Sequence, residues 1–443
     1  AHFSFSDTAI HYLGFLIGNT FFILFSIFYF NLTNKSLFKI FGIPIGKEKE
    51  NGTHPKIKLF SPSFSKKKVE RGVLPGEAEV RTYLYSPFKI RIARKSSHYN
   101  AKILMKVLNQ HHHNAAFYLL AIFSIILFLG IFRDFRYFMI PAAASFMLLL
   151  SMILMIVSAI HSWFRGWSVP VFLLLIVGIN YLTTFKPLNS RNHVYGINYD
   201  AERVAFNKGT LEEISCENNI TQDKKQSIEI LEKWKEKNQN IGEKKPKMIF
   251  VNCSGGGMRA SFLTFHALNH INKETNGDFF KKTQLITGSS GGMIGACYFR
   301  ELYLKGDSIK EKHYKNISKD MLNPISFTIT VNDVLMRLQK FSDGKYTHTK
   351  DRGFAFEYIL HQNTDSILNK SINDYYLPEK NAEIPMVFLS PIIINNGHLL
   401  IVSAQKIAYM THKTDNSYFD GIEFSRLFAG QDAQNLKITS ALR

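Results

Sequence analysis

Two glycine-rich turns hold the residues best suited to chemistry. The first, Ser254-Gly255-Gly256-Gly257-Met258-Arg259, follows the apolar run Met248–Cys253. The second, Gly288-Ser289-Ser290-Gly291-Gly292, follows Gln284-Leu285-Ile286-Thr287. A serine flanked this way fits the G-x-S-x-G elbow, where a sharp strand-to-helix turn holds a nucleophilic hydroxyl clear of the backbone. Residues without large side chains tolerate the crowding on either side, hence Gly288 and Gly292, with Ser290 as the candidate nucleophile. The first loop can then offer backbone N–H groups of Gly255, Gly256 and Gly257, joined by that of Gly291, to an oxyanion. The pair points to serine acyl hydrolysis.

Positioning needs a strand before each turn and a helix after it. Phe262, Phe265, Leu268 and Ile271 recur at helical spacing after the first turn, as do Met293, Ile294, Cys297 and Leu302 after the second. Plain tight turns of a doubly wound sheet would give the same local pattern. A nucleotide-binding loop fits less well, because Ala260 stands where G-x-G-x-x-G ends in glycine and no G-K-[ST] follows.

The succession S-G-G-G-M-R-A and I-T-G-S-S-G-G-M-I-G resembles the patatin-like phospholipases, in their membrane-anchored, multi-pass, bacterial-type form, over residues 246–443. It departs from their oxyanion loop at Ala260, where glycine is usual. The resemblance implies a three-layer α/β/α hydrolase domain and a Ser-Asp dyad without histidine or cofactor. It also implies a membrane phospholipid or other lipid ester as substrate. Arg259 belongs to the oxyanion-loop motif, in a first helical turn where a cation opposes the helix dipole. Leu436–Ala441 resembles the segment that precedes the family's D-G-G or D-G-A aspartate, so that aspartate is expected beyond Arg443. Asp420-Gly421 is the in-chain runner-up.

Three rivals stay open beside the dyad. A Ser-His-Asp esterase would recruit His398 or His412 with an acid such as Asp374. A catalytically inactive protein would keep the fold alone. An intramembrane protease would need its serine inside a span, which Ser290 is not.

The first part of the chain carries long uncharged apolar runs near 10–30, 116–132, 138–160 and 169–185. At 1.5 Å per residue, about 20 residues cross a bilayer core. Residues 1–185 therefore read as an all-α multi-pass transmembrane region, and the resemblance implies the bacterial cytoplasmic (inner) membrane. The first run lacks the charged lead-in and cleavage site of a signal peptide. The chain starts at Ala1 without methionine, so residues before it are expected.

The formal net charge is +19, and much of the excess lies in the loop 31–114, including Lys66-Lys67-Lys68, Lys89, Arg91, Arg94, Lys95, Lys102 and Lys106. Residues 99–110 place Ile103, Leu104, Val107 and Leu108 on one helical face, which suits an anionic lipid surface; a solvated charged loop fits equally. No recognition pattern supports a nucleic-acid partner. This loop votes for the cytoplasmic side, and Arg133, Arg136, Lys186 and Arg191 vote for the reverse.

Cys216, Cys253 and Cys297 show neither disulfide nor metal spacing, and the latter two read as small buried hydrophobes. His266 and His270 stand at i, i+4 without a glutamate between them, so no metal site is expected. The stretch 186–245 reads as a polar linker whose Gln226–Lys237 helix turns Ile230, Leu231 and Trp234 inward. Apolar runs at Pro385–Ser390 and His398–Ser403 read as further strands of the hydrolase sheet.

Overall fold

The computed structural model describes residues 5–33, 82–86, 89–92, 101–135, 140–182, 184–185, 192–239, 245–333, 339–411 and 421–443. Expectations resting on His412, Asp420, Arg136, Lys186, Arg191 and most of the basic loop fall outside these residues. The chain is mixed helix and sheet. It divides into two compact units, residues 1–128 with 148–187, and residues 129–147 with 188–443.

Among the described residues, three helices are long and apolar enough to cross a membrane. They are Tyr12–Thr33 of α1 (Phe5–Thr33), His113–Phe132 from α2 (Ala101–Leu129) and the turn after it, and all of α3 (Ala142–Phe164). The fourth expected run forms α4 (Ser168–Leu182), only 15 residues long. At 1.5 Å per residue it reaches about 22 Å, short of an apolar core of about 30 Å. The basic segment 99–110 is no separate element, since α2 runs unbroken from Ala101. An antiparallel hairpin, β1 (Thr82–Ser86) with β2 (Lys89–Ile92), lies within the basic loop.

Polar side chains tie α1 to α2. Ser26 Oγ lies 2.5 Å from Tyr118 Oη, Tyr29 Oη donates to the Asn114 carbonyl, and Asn114 Nδ2 donates to that of Thr33. In lipid, apolar helices lack a hydrophobic force toward each other, and interhelical hydrogen bonds of this kind would help to hold such a pair there.

The second unit is built on a parallel sheet of order β3-β4-β7, with β3 Ile249–Cys253, β4 Thr283–Gly288 and β7 Met386–Leu389. Its other described strands are an antiparallel pair, β5 (Lys340–Ser342) with β6 (Thr347–Thr349), and a parallel pair, β8 (Leu399–Ile401) with β9 (Gly421–Glu423). One face of the main sheet, through Cys253, Ile286, Val387 and Leu389, packs on α6 (Gly257–Glu274) and α7 (Ser290–Leu304). On the other, Met386 and Phe388 meet Ile230 of α5 (Glu217–Asn238), with Ile401 and Ile407. Burial on both sides explains why β7 reads as an unbroken apolar run.

Two expectations change here. The His398–Ser403 run pairs with β9 in its own sheet and reaches β7 only through an antiparallel bridge, Leu389 with Val402. The cause is a tight reversal over 391–398, closed by Ile393 N–H to the His398 carbonyl (2.9 Å), which sends the chain back against β7. Within 186–245, α5 is part of this fold: Ile230 and Trp234 are buried and Leu231 half-buried. The Asp223 carboxylate of α5 accepts two Arg426 N–H bonds, at 2.6 and 2.8 Å.

Candidate active site

Each expected turn sits where its sequence puts it. β3 ends at Cys253 and α6 begins at Gly257; β4 ends at Gly288 and α7 begins at Ser290. Cys253 and Gly288 are register partners on adjacent parallel strands, so both loops leave the same edge of the sheet side by side. In open α/β sheets, ligands bind outside these carboxyl ends. The Ser289 N–H donates to the Cys253 carbonyl at 3.0 Å and fastens one loop to the other.

The decisive geometry is at Ser290. Its φ is +52°, a conformation that L side chains adopt rarely and at a cost of order 1–3 kcal/mol. Such strain at the first residue of a helix is what a nucleophile elbow imposes. Gly288, with φ +144°, has room for no side chain: a Cβ there would lie 2.1 Å from the Cys253 carbonyl oxygen. Behind the serine, a Cβ on Gly291 would lie 1.9 Å from the Gly257 carbonyl oxygen, and one on Gly292 2.3 Å from that of Ser254. A Cβ on Gly255 would stand 3.3 Å from Ser290 Cβ, which sets the first loop against the serine. A Cβ on Gly256 would come to 3.1 Å from the Ala260 Cβ.

Ser290 is exposed, while α7 from Gly291 to Leu302 is buried along its whole length. That burial includes two charges. Arg300 pairs with Glu379, which also accepts from Gln405 Nε2 at 3.2 Å. Glu301 pairs with Lys370 and accepts from Tyr375 Oη at 2.8 Å. This network grips the far half of α7 and so fixes the helix that carries the serine. Sequence reading missed it, because Arg300-Glu301 looks like an ordinary charged pair until its distant partners are known.

Among the described residues no imidazole or carboxylate is hydrogen-bonded to Ser290. His398 is half-buried at the foot of the 391–398 reversal, at the strand edge that carries the loops. Asp374 is engaged in a local cap, accepting from Ser371 N–H at 2.7 Å and Ser371 Oγ at 3.0 Å. Arg259 is exposed in the first turn of α6, with no ion pair among the described residues. The Leu436–Ala441 segment carries the short helix α8 (Ile438–Ala441); its Thr439 and Ser440 hydroxyls both donate to buried Glu357 at 2.6 Å.

The thiols stand apart from this chemistry. Burial pushes Cys253 up to about 11 and Cys297 up to about 12, which removes the thiolate a reactive cysteine needs. His266 and His270 stack on the exposed side of α6, ring centroids 6.3 Å apart. Among the described residues no group of three or more potential ligands gathers for a metal. At the mouth of the strand edge, Ile392 (64% exposed) and Ile394 (96% exposed) project from the reversal after β7. No family model matches the chain, and neither a curated protein nor a solved structure matches it.

Proposed function

We propose that the second unit is a patatin-like lipid acyl hydrolase of three-layer α/β/α architecture, carried by a multi-pass region in a bacterial cytoplasmic (inner) membrane. The observation that carries this reading is the strained Ser290, φ +52°, wedged between two glycine loops that share one sheet edge. Ser290 Oγ attacks an ester carbonyl and gives its proton to a base, by resemblance an aspartate. The N–H groups of Gly256, Gly257 and Gly291 hold the oxyanion, each donor contributing about 3 kcal/mol. Collapse expels the alcohol with a proton and leaves an acyl-serine, which water then hydrolyses to the free acid.

Three further features support a lipid as substrate. Among the described residues of the same chain, three helices are long and apolar enough to cross a membrane. Ile392 and Ile394 offer apolar surface at the strand edge that carries the serine. Arg259 presents a cation suited to a phosphate head group. The test is Ser290→Ala in the full-length protein: ester hydrolysis and fluorophosphonate labelling are abolished while the thermal midpoint stays within a few degrees. Undiminished labelling of this variant removes the assignment. Asp420→Asn asks whether the in-chain aspartate is the base; a rate equal to wild type places the base elsewhere.

A further inference from the structure

The reversal after β7 is an apolar hairpin that rises beside the elbow. Leu389 is the register partner of Gly288, so β7 ends level with the start of the Ser290 loop. Beyond that point an antiparallel ladder continues, with Leu389 opposite Val402 and Ile392 opposite Leu399. Three further strand steps of about 3.3 Å carry Ile392 roughly 10 Å past the sheet edge. The sheet order β3-β4-β7 puts this hairpin on one side of the Ser290 loop and the start of α6 on the other.

Side chains alternate along the hairpin arm. Ile393 turns inward and packs with Leu211, Ile422 and Leu427. Ile392 and Ile394 turn the other way and are 64% and 96% exposed. Water-facing positions of an antiparallel arm ordinarily carry polar residues. Here none of residues 391–398 is lysine, arginine, aspartate or glutamate. The hairpin also closes on itself: Ile393 N–H donates to the His398 carbonyl at 2.9 Å, Gly397 N–H to that of Ile393 and Leu400 N–H to that of Pro391, both at 2.8 Å. An uncharged segment whose backbone is paired internally enters the boundary of a bilayer without stranding those groups. Across the elbow, the first two turns of α6 expose Arg259, Phe262 and Leu263. A cation beside exposed apolar side chains matches lipid head groups above their acyl chains. Among the described residues the same chain has three helices long and apolar enough to cross a membrane, which makes lipid the partner at hand.

We infer that the 391–398 hairpin docks on a lipid bilayer, seating Ile392 and Ile394 in the head-group boundary. Arg259, on the other side of the elbow, meets a lipid phosphate. Docking would present Ser290 to an ester in the bilayer; that consequence rests on the hydrolase reading, and the docking itself does not.

The test places an NBD fluorophore at Ile394→Cys in the full chain carrying Cys216→Ser, in nanodiscs of phosphatidylcholine and phosphatidylglycerol. Cys253 and Cys297 are buried and stay unlabelled. The water-exposed reference is the same label at Lys273→Cys, in the last turn of α6. The Ile394→Cys label emits to the blue of the reference, is quenched by nitroxide-labelled phosphatidylcholine and resists iodide; adding Ile392→Asp restores iodide quenching. Iodide quenching equal to that of the reference overturns the proposal. So does a label shielded from both quenchers, because protein then covers the hairpin. In a second arm, Ile392→Ser/Ile394→Ser lowers hydrolysis of nanodisc phospholipid, relative to soluble p-nitrophenyl butyrate, at least about tenfold, the scale of withdrawing one isoleucine from lipid. An unchanged ratio overturns the role of docking at the elbow. If the unaltered chain turns over neither ester, the hydrolase reading falls and the label alone decides docking.

Discussion

Gly291 of α7 lies so close to Gly257 of α6 that a Cβ on Gly291 would sit 1.9 Å from the Gly257 carbonyl oxygen. One turn on, a Cβ on Gly295 would sit 2.1 Å from the Ser261 carbonyl oxygen. The two helices thus meet backbone to backbone along a seam of small residues, and both glycine loops are held at its upper end. Gly291→Ala forces the seam apart at the Ser254–Gly257 loop. It should abolish fluorophosphonate labelling and lower the thermal midpoint, whereas Gly430→Ala, where nothing lies within 4 Å, should do neither. Normal labelling of Gly291→Ala would mean that the loop–loop contact is not needed at the serine.

That seam also explains what the sequence conveyed and what it did not. The strands, turns and helix starts around Ser254 and Ser290 were legible, because glycine spacing and apolar runs are local signals. The face of α6 was legible only in part. Phe262, Phe265, Leu268 and Ile271 recur at helical spacing, yet the residues the helix buries are Ser261, Phe265, Leu268 and Asn269. Phe262 and Ile271 are 38% and 41% exposed. Close approach at Gly295 rotates the helix so that its small-residue edge, Gly257 and Ser261, faces α7. Hydrophobic periodicity carries no record of such a contact. The partner of β8, the Asp223–Arg426 pair and the α1–α2 polar ties join residues far apart in sequence, and nothing local marks them.

Arg300 and Glu379 form a buried pair behind the elbow, both side chains at most 2% exposed. Removing one member strands a charge and typically costs about 3–5 kcal/mol. Arg300→Met should therefore lower the thermal midpoint by about 10 °C. The double variant Arg300→Met/Glu379→Leu should recover part of the loss, since it leaves no buried charge unpaired. A single variant that melts with wild type would show that the network does not hold α7.

Asp343 provides an acid-sensitive clasp between the β5–β6 turn and Gly196. Burial alone would raise its carboxyl, but N–H groups of Tyr346, Lys345 and Gly196 and the His348 ring outweigh this and hold it at about 2. The unfolded carboxyl titrates near 3.9, so the clasp is fully stabilising above that pH and is lost as pH falls toward 2. The contribution is about 2 kcal/mol. Asp343→Asn should destabilise the protein at pH 6 and flatten the fall in thermal midpoint between pH 4.5 and 2.5. An unchanged acid limb would assign that fall to other groups.

Arg259 tests the substrate class. It stands exposed in the first turn of α6, where the helix dipole disfavours a cation and the described residues supply no carboxylate to offset it. A substrate phosphate beside the Ser254–Gly257 loop would offset it instead. Arg259→Gln should then raise KM about tenfold for a lysophospholipid, the scale of one charged hydrogen bond, with kcat little changed. Hydrolysis of uncharged p-nitrophenyl butyrate should be unaffected. Equal losses on both substrates would give Arg259 a structural role in the loop, and no loss on either would remove it from the site.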